Sequence, residues 1–396
     1  MELTGWVKTY DWGKQGINSA VAQLAMANDP DFVLNDEETY AEMWMGTHFC
    51  GVSIVKETGE TLDRVLKKDL PYLFKVLSIR KALSIQVHPN KCEAERLHKE
   101  RPEIYKDDNH KPELSIAITP FLALVGFQPV DDIVDYIDEF QPLTKLIGQE
   151  AVMELHEKRN SEALKNCYEI MMKADEKDIA KCIKDIAKNY KTELKRNELL
   201  DIFNKINQDF PDDVGTLCLF FLNLVRLQPG QAIYLGANEI HAYLDGECVE
   251  CMACSDNVIR AGLTPKYKDV EQLVSSVIFD GSAPHSKLFM PFRIDDTVQV
   301  FVPPVDDFAV MHVNIKHIVD SYKLQIQAYG SILLTLTGSR ILKLKTNQGP
   351  KEIALSRGSI VYIPVEAAPE IEFLHAEDCG EDFTAYIATY NYFRKA

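Results

Sequence analysis

The chain reads as a mainly β protein interrupted by one α-helical insertion, and three features of its 396 residues predict this class. Up to about Val130, apolar runs of strand length are punctuated by turn residues. From Asp131 to about Asp213, glycine and β-branched runs thin out, and apolar residues recur at helical spacing among charges. After Thr216 the strand pattern resumes and continues to the C-terminus.

Each element follows from its own residues. Tyr72-Leu-Phe-Lys-Val-Leu, Leu83-Ser-Ile-Gln-Val and Phe121-Leu-Ala-Leu-Val-Gly-Phe have the length and composition of strands. Pro89, followed by Asn90 and Lys91, ends the second, because proline withholds a ladder donor. In the middle segment Ile179, Ile183 and Ile186 fall on one helix face, and Leu199, Ile202, Phe203 and Ile206 mark another. The charge runs there read as solvated helix faces rather than a binding tail. Later strands are Ile233-Tyr-Leu, Val298-Gln-Val-Phe-Val, Ile332-Leu-Leu-Thr-Leu and Ile360-Val-Tyr-Ile-Pro. The expected division is a discontinuous catalytic domain over 1–130 and 214–298, a helical insertion over 131–213, and a C-terminal domain over 299–396.

A faint internal repeat relates the two β portions. Leu227-Gln-Pro-Gly-Gln-Ala-Ile-Tyr-Leu-Gly-Ala-Asn-Glu-Ile-His241 aligns with Leu355-Ser-Arg-Gly-Ser-Ile-Val-Tyr-Ile-Pro-Val-Glu-Ala-Ala-Pro369. In each copy a glycine turn leads into an apolar strand and then a second turn. The pattern resembles the second sequence box of the cupin family, Gly-x5-Pro-x-Gly-x2-His. Gly236 replaces its proline and Asn238 its second glycine; the later copy keeps Pro364 but has Pro369 at the histidine position. The resemblance implies two cupin-type jelly-roll β-barrels, the second metal-free because proline cannot ligate.

Composition limits the partners. Hydrophobic residues at 46% and charged residues at 26% suit a globular chain large enough for two or three domains. A net charge of -17 opposes binding to nucleic acid or an anionic membrane, while a local cluster of cations can still hold one phosphate. Met1-Glu-Leu-Thr-Gly-Trp lacks the basic and apolar regions of a signal peptide, and no apolar stretch is long enough to span a bilayer, so a cytoplasmic protein is expected. The nine scattered cysteines read as free thiols. Cys248, Cys251 and Cys254 have cluster-like spacing, but the cysteine–proline continuation of a ferredoxin site is missing and position 258 is Val. Their segment reads instead as a strand of buried or half-buried thiols.

The chemistry concentrates in four residues. Gln86 and His88 are two apart on an apolar strand, so their side chains share a face. Glu113 opens another apolar run, and His241 occupies the cupin metal position. Two imidazoles, a carboxylate and an amide oxygen suit zinc or another borderline divalent ion. With one anionic ligand the ion keeps positive charge, which favours Lewis-acid chemistry. Singly, each residue has an ordinary reading as a structural histidine, a satisfied buried amide or a surface acid.

The surrounding segments are more specific. Tyr10-Asp-Trp-Gly-Lys, Ala82-Leu-Ser-Ile-Gln-Val-His-Pro-Asn-Lys, Asp108-Asn-His-Lys-Pro-Glu and Glu250-Cys-Met-Ala-Cys-Ser-Asp-Asn-Val-Ile-Arg-Ala-Gly-Leu-Thr-Pro-Lys266 resemble the type I mannose-6-phosphate isomerase (phosphomannose isomerase) family. The resemblance runs in family order to about Asp269 and includes the helical insertion. It implies one zinc ion per chain held by Gln86, His88, Glu113 and His241, and an active-site arginine at Arg260. It places Lys266, Lys111, Ser84, Tyr243, Glu250 and Trp12 around the same pocket. It further implies a monomer that interconverts mannose 6-phosphate and fructose 6-phosphate and feeds GDP-mannose synthesis and glycosylation.

Such an isomerisation moves a proton from C2 to C1 through a cis-enediol, so it needs a placed base and stabilised oxyanion charge. Glu250, ten residues before Arg260, is the candidate base, with His48 and Lys111 behind it. Arg260 would neutralise enediolate charge, and Lys266 with Arg260 would cradle the phosphate. Two other functions fit a metal-bearing cupin. An iron oxygenase would leave open the position that Gln86 fills, and a non-catalytic sugar-binding bicupin would not need Arg260.

Overall fold

Strand alternation and helical spacing carry over directly into the computed structural model, which describes residues 1–190, 197–325, 330–346, 349–364, 370–376 and 380–395. The chain is mainly β with a helical insertion, as its patterning predicts. The Tyr72 run forms Tyr72–Ile79, buried at every position, and the Phe121 run forms Phe121–Phe127. The strand that carries Gln86 is shorter than expected, Ile85–Val87, with the Leu83 N–H bonded to the Tyr243 carbonyl just before it.

These strands belong to a ten-stranded sheet organised by one long element, His241–Ala253. Its first half pairs with Phe121–Phe127 and its second half with Tyr72–Ile79 and Glu113–Ala117. The switch of partners occurs around Gly246, whose φ of 112° and packing on the Pro120 carbonyl leave no room for a Cβ.

Six helices, from Val130–Glu139 to Asn197–Asp209, form the insertion among the described residues. Asn160 and Asp175 cap two of them with side-chain oxygens. Ile179, Ile183 and Ile186 are buried as their spacing predicts, and so are Leu199, Phe203 and Ile206, with Ile202 packed at the edge. This helical core is continuous with Ile85 and Val87, so the inward face of the Gln86 strand is anchored in the insertion.

The C-terminal part sandwiches an apolar core between an eight-stranded and a four-stranded sheet. The eight-stranded sheet is not built from residues 299–396 alone. Glu2–Thr4 pairs with Ile360–Ile363 and with Ile54–Val55, so the eight-stranded sheet takes two strands from the N-terminal region. Burial of Leu3 against Ile360 and Tyr362 explains the pairing. Both repeat glycines, Gly230 and Gly358, adopt left-handed φ of 85° and 83°. Pro369, expected to be the silent twin of His241, lies outside the described residues. The eight described cysteines are free. Among the described residues, no helix is long and apolar enough to cross a membrane.

Candidate active site and metal centre

Strand register assembles the site. Gln86 stands opposite His241 on one neighbouring strand and opposite Arg260 on the other. Facing pairs hold their Cβ atoms about 4.5–5.5 Å apart, so one strand position sets an imidazole and a guanidinium on either side of Gln86. His88 is two residues along the same face. Asn238, the residue in place of the cupin glycine, has φ 65° and donates its N–H to the His88 carbonyl at 2.8 Å. Asparagine tolerates that left-handed conformation, and the turn so formed delivers His241.

His88, Glu113 and His241 are buried, with their ligand atoms within 4.8 Å of one another. Each histidine has its tautomer set from behind. His88 donates from Nδ1 to the Asn257 carbonyl at 2.8 Å, and His241 from Nδ1 to the Glu239 carbonyl at 2.8 Å. Both Nε2 lone pairs therefore converge on the Glu113 carboxylate, at 3.4 Å and 3.6 Å. His88 Nε2 is buried with no hydrogen-bond partner among the described residues. Three electron-rich atoms facing one another without a proton between them fit a bound cation.

The electrostatics agree. Burial pushes the Glu113 pKa up, but Lys111 at 3.2 Å and the two histidines hold it well below the usual carboxylate range. Burial, then His88, depresses His241 to about 4, so this imidazole is neutral and able to ligate at neutral pH. Gln86 presents Nε2 to His241 Nε2 at 3.5 Å and accepts from Ser84 Oγ through Oε1 at 3.2 Å. A half-turn of the amide aims Oε1 at the donor set, and the Ser84 hydroxyl can bond either end.

The loop behind His88 joins two of the sequence segments singled out above. Asp107 accepts from Ser255 Oγ, the Asp256 N–H and Asn257 Nδ2, and Asn257 also donates to the Asn109 carbonyl. Residues 107–113 and 255–257 are therefore one hydrogen-bonded unit that presents Glu113 and fixes His88.

A cleft of about 880 Å³ opens over this centre, with Trp12, Ser84, Gln86, Lys111, Arg260 and Lys266 on its walls. His48 also lines it, edge-on to Trp44. Glu250 and Tyr243 differ from expectation, since neither is a wall residue. They lie behind the wall: Glu250 accepts from Lys75 Nζ at 2.6 Å and from Tyr243 Oη at 2.9 Å, and Ser115 Oγ is 2.5 Å from Tyr243 Oη. The burial that closes off Glu250 also pushes its pKa up, against the pull of Lys75. The lysine stays protonated, because burial is outweighed by Glu250 and Glu42.

Lys75 is a wall residue that the sequence reading missed. Its signal was available: one lysine inside an otherwise apolar eight-residue strand is either paired or functional. Asp213 and Phe210, at the end of the insertion, also line the cleft and were not foreseen. No anion pairs with Arg260 or Lys266 among the described residues, although Lys75, Lys111 and Lys81 each have one. Arg260 is half-buried, and burial alone draws its pKa down; an arginine remains charged regardless.

A β scaffold with a buried two-histidine, one-carboxylate centre under a cationic cleft defines an enzyme with a metal-competent site. Residues 1–130 match the catalytic domain of phosphomannose isomerase type I, and residues 143–222 match the helical insertion domain of the same family. The chain is 38% identical to mannose-6-phosphate isomerase of Macaca fascicularis over 94% of its length and 95% of the relative, and 37% identical to the human protein over the same shares. It also matches a crystal structure of mannose 6-phosphate isomerase bound with zinc and yttrium, at 29% identity, a TM-score of 0.83 and 98% coverage of both chains. The chain belongs to the type I phosphomannose isomerase family and is an isomerase.

Proposed function

We propose that the chain interconverts D-mannose 6-phosphate and D-fructose 6-phosphate through a cis-enediol, with one zinc ion held by Gln86, His88, Glu113 and His241. The observation that carries this reading is the convergence of two imidazole lone pairs and a carboxylate beside a cleft that holds Gln86 and two cations without an anion among the described residues, Arg260 and Lys266. The relatives named for this reaction and the zinc-bound structure support it. Zinc supplies Lewis-acid stabilisation of charge developing on a sugar oxygen. Residues 1–130 and 214–298 carry the catalytic centre, and 299–396 form a metal-free barrel. The enzyme acts as a cytoplasmic monomer that supplies GDP-mannose synthesis and glycosylation.

The chain's own residues divide the remaining tasks. Arg260 beside Gln86 neutralises the enediolate, Lys266 and Arg260 hold the phosphate, and Trp12, Ser84 and Lys111 shape the sugar subsite. Glu250 takes the C2 proton, exchanging its Tyr243 or Lys75 contact for the substrate, and burial raises its basicity to suit that step. Tyr243 holds the carboxylate until then.

Glu250→Gln keeps the side chain's size and should lower kcat by about 10²-fold in steady-state assays; full turnover would remove Glu250 from the reaction. Lys266→Ala should raise KM for the phosphorylated sugar by about tenfold with kcat nearly intact, and an unchanged KM would take it out of the phosphate site. A coupled assay that detects fructose 6-phosphate from mannose 6-phosphate, run in air and under anaerobic conditions, tests the reaction itself. Equal turnover in both is expected, whereas dependence on oxygen would indicate an oxygenase.

A further inference from the structure

The end of the helical insertion does more than border the cleft. Asp209, Phe210, Pro211 and Asp213 form a wall next to Leu263, Thr264 and Lys266. We propose that Asp213 is a positioning residue that sets the shape of the Arg260–Lys266 segment for the substrate's phosphate. The inference rests on the phosphate role proposed for Arg260 and Lys266.

A single carboxylate oxygen makes the connection. Asp213 Oδ1 accepts from the Gly215 N–H and from the Leu263 N–H, both at 2.8 Å. The first of these bonds caps the 3-10 helix Val214–Phe220, and the second holds the turn after strand Ile259–Gly262. Asp213 Oδ2 faces Lys268 Nζ at 3.3 Å. Asp213 thus neutralises Lys268, while Lys266 remains without an anion among the described residues.

The turn needs holding. Leu263 has φ 54°, a left-handed conformation that is strained for a non-glycine residue and persists only when its surroundings impose it. Those surroundings are visible. A Cβ on Gly262 would sit 2.6 Å from Gly215 Cα, and one on Gly215 would sit 2.7 Å from the Leu263 nitrogen. Only two glycines allow the backbones to meet this closely, and the approach brings the Leu263 N–H within reach of Asp213. Thr264 Oγ1 then accepts from the Lys266 N–H at 3.1 Å and closes the turn that carries the cation. None of these groups is placed on a reacting atom. Their effect is on the aim of the cation that meets the phosphate, so it is read in KM and in phosphate inhibition rather than in kcat.

The test uses full-length, zinc-loaded protein and two readouts, steady-state kinetics with mannose 6-phosphate and competitive inhibition by inorganic phosphate. Asp213→Ala should raise KM about tenfold and weaken phosphate inhibition by a similar factor, with kcat held within about threefold. Asp213→Asn retains an oxygen acceptor for both N–H groups and should restore most of the loss. Gly262→Ala wedges the two backbones apart without changing charge, and should show the same rise in KM. Unchanged KM and phosphate inhibition in Asp213→Ala or in Gly262→Ala, or equal losses in Asp213→Asn and Asp213→Ala, would overturn the proposal. Lys266→Ala separates it from the reading beneath it. If that variant is inhibited by phosphate as the parent is, the phosphate role fails whatever Asp213 does. If Lys266→Ala weakens inhibition and Asp213→Ala does not, only the positioning role fails.

Discussion

Replacing His88 by alanine is expected to remove the bound metal and lower turnover by about 10³-fold or more, since Lewis-acid stabilisation is worth several kcal/mol and each 1.36 kcal/mol is a factor of ten. Of the proposed ligands, His88 has the least alternative employment. Its Nδ1 is committed to Asn257, its Nε2 has no hydrogen-bond partner among the described residues, and it is fully buried. Alanine leaves Glu113 and His241 facing each other across a gap, with Lys111 3.2 Å from the carboxylate as its remaining described counter-charge. Metal content by atomic emission and turnover by coupled assay should fall together. A His88→Ala protein that keeps stoichiometric zinc and full activity would exclude His88 as a ligand.

Arg260→Lys is expected to lower kcat by about 10²–10³-fold, the usual effect of removing a preorganised group that stabilises oxyanion charge. A half-buried guanidinium without an anion among the described residues is costly to keep, because burial disfavours its charge. The cost is understandable if the missing anion arrives with the substrate. Lysine preserves the charge but loses the planar fork, so it cannot span two oxygens at once. The register that sets Arg260 opposite Gln86 puts that fork beside a ligand position. Retention of parental kcat in Arg260→Lys would show that the geometry of the guanidinium is not used.

What could be read from the sequence followed from periodicity. The shared face of Gln86 and His88 needs only strand alternation, and the insertion's buried isoleucines need only helical spacing. Glu113 could not be derived that way, because its place beside the histidines depends on non-local pairing of Glu113–Ala117 with Ala232–Leu235, which sets Glu113 opposite Leu235 just before the turn to His241, and with His241–Ala253. The same non-local pairing explains Glu250. On a strand it had an even chance of facing either side, and its side chain turns toward Lys75 and Tyr243 behind the wall. The N-terminal strands of the C-terminal sheet were hidden for a related reason. Glu2–Thr4 is too short to show any periodic signal, and only the tertiary fold reveals that it completes the C-terminal sheet. Asp213 was hidden at the end of a helical pattern, where an acidic residue ordinarily reads as a solvated cap.

The central claim is that a metal bound by Gln86, His88, Glu113 and His241 makes this chain an aldose–ketose isomerase for a phosphorylated hexose. Stripping the protein with a chelator, reloading it with measured amounts of zinc, and following fructose 6-phosphate formed from mannose 6-phosphate tests that claim most directly. Turnover should vanish with the metal and return in proportion to zinc, reaching its maximum at one ion per chain. Full turnover in the stripped protein, or none in the zinc-loaded protein, would contradict it.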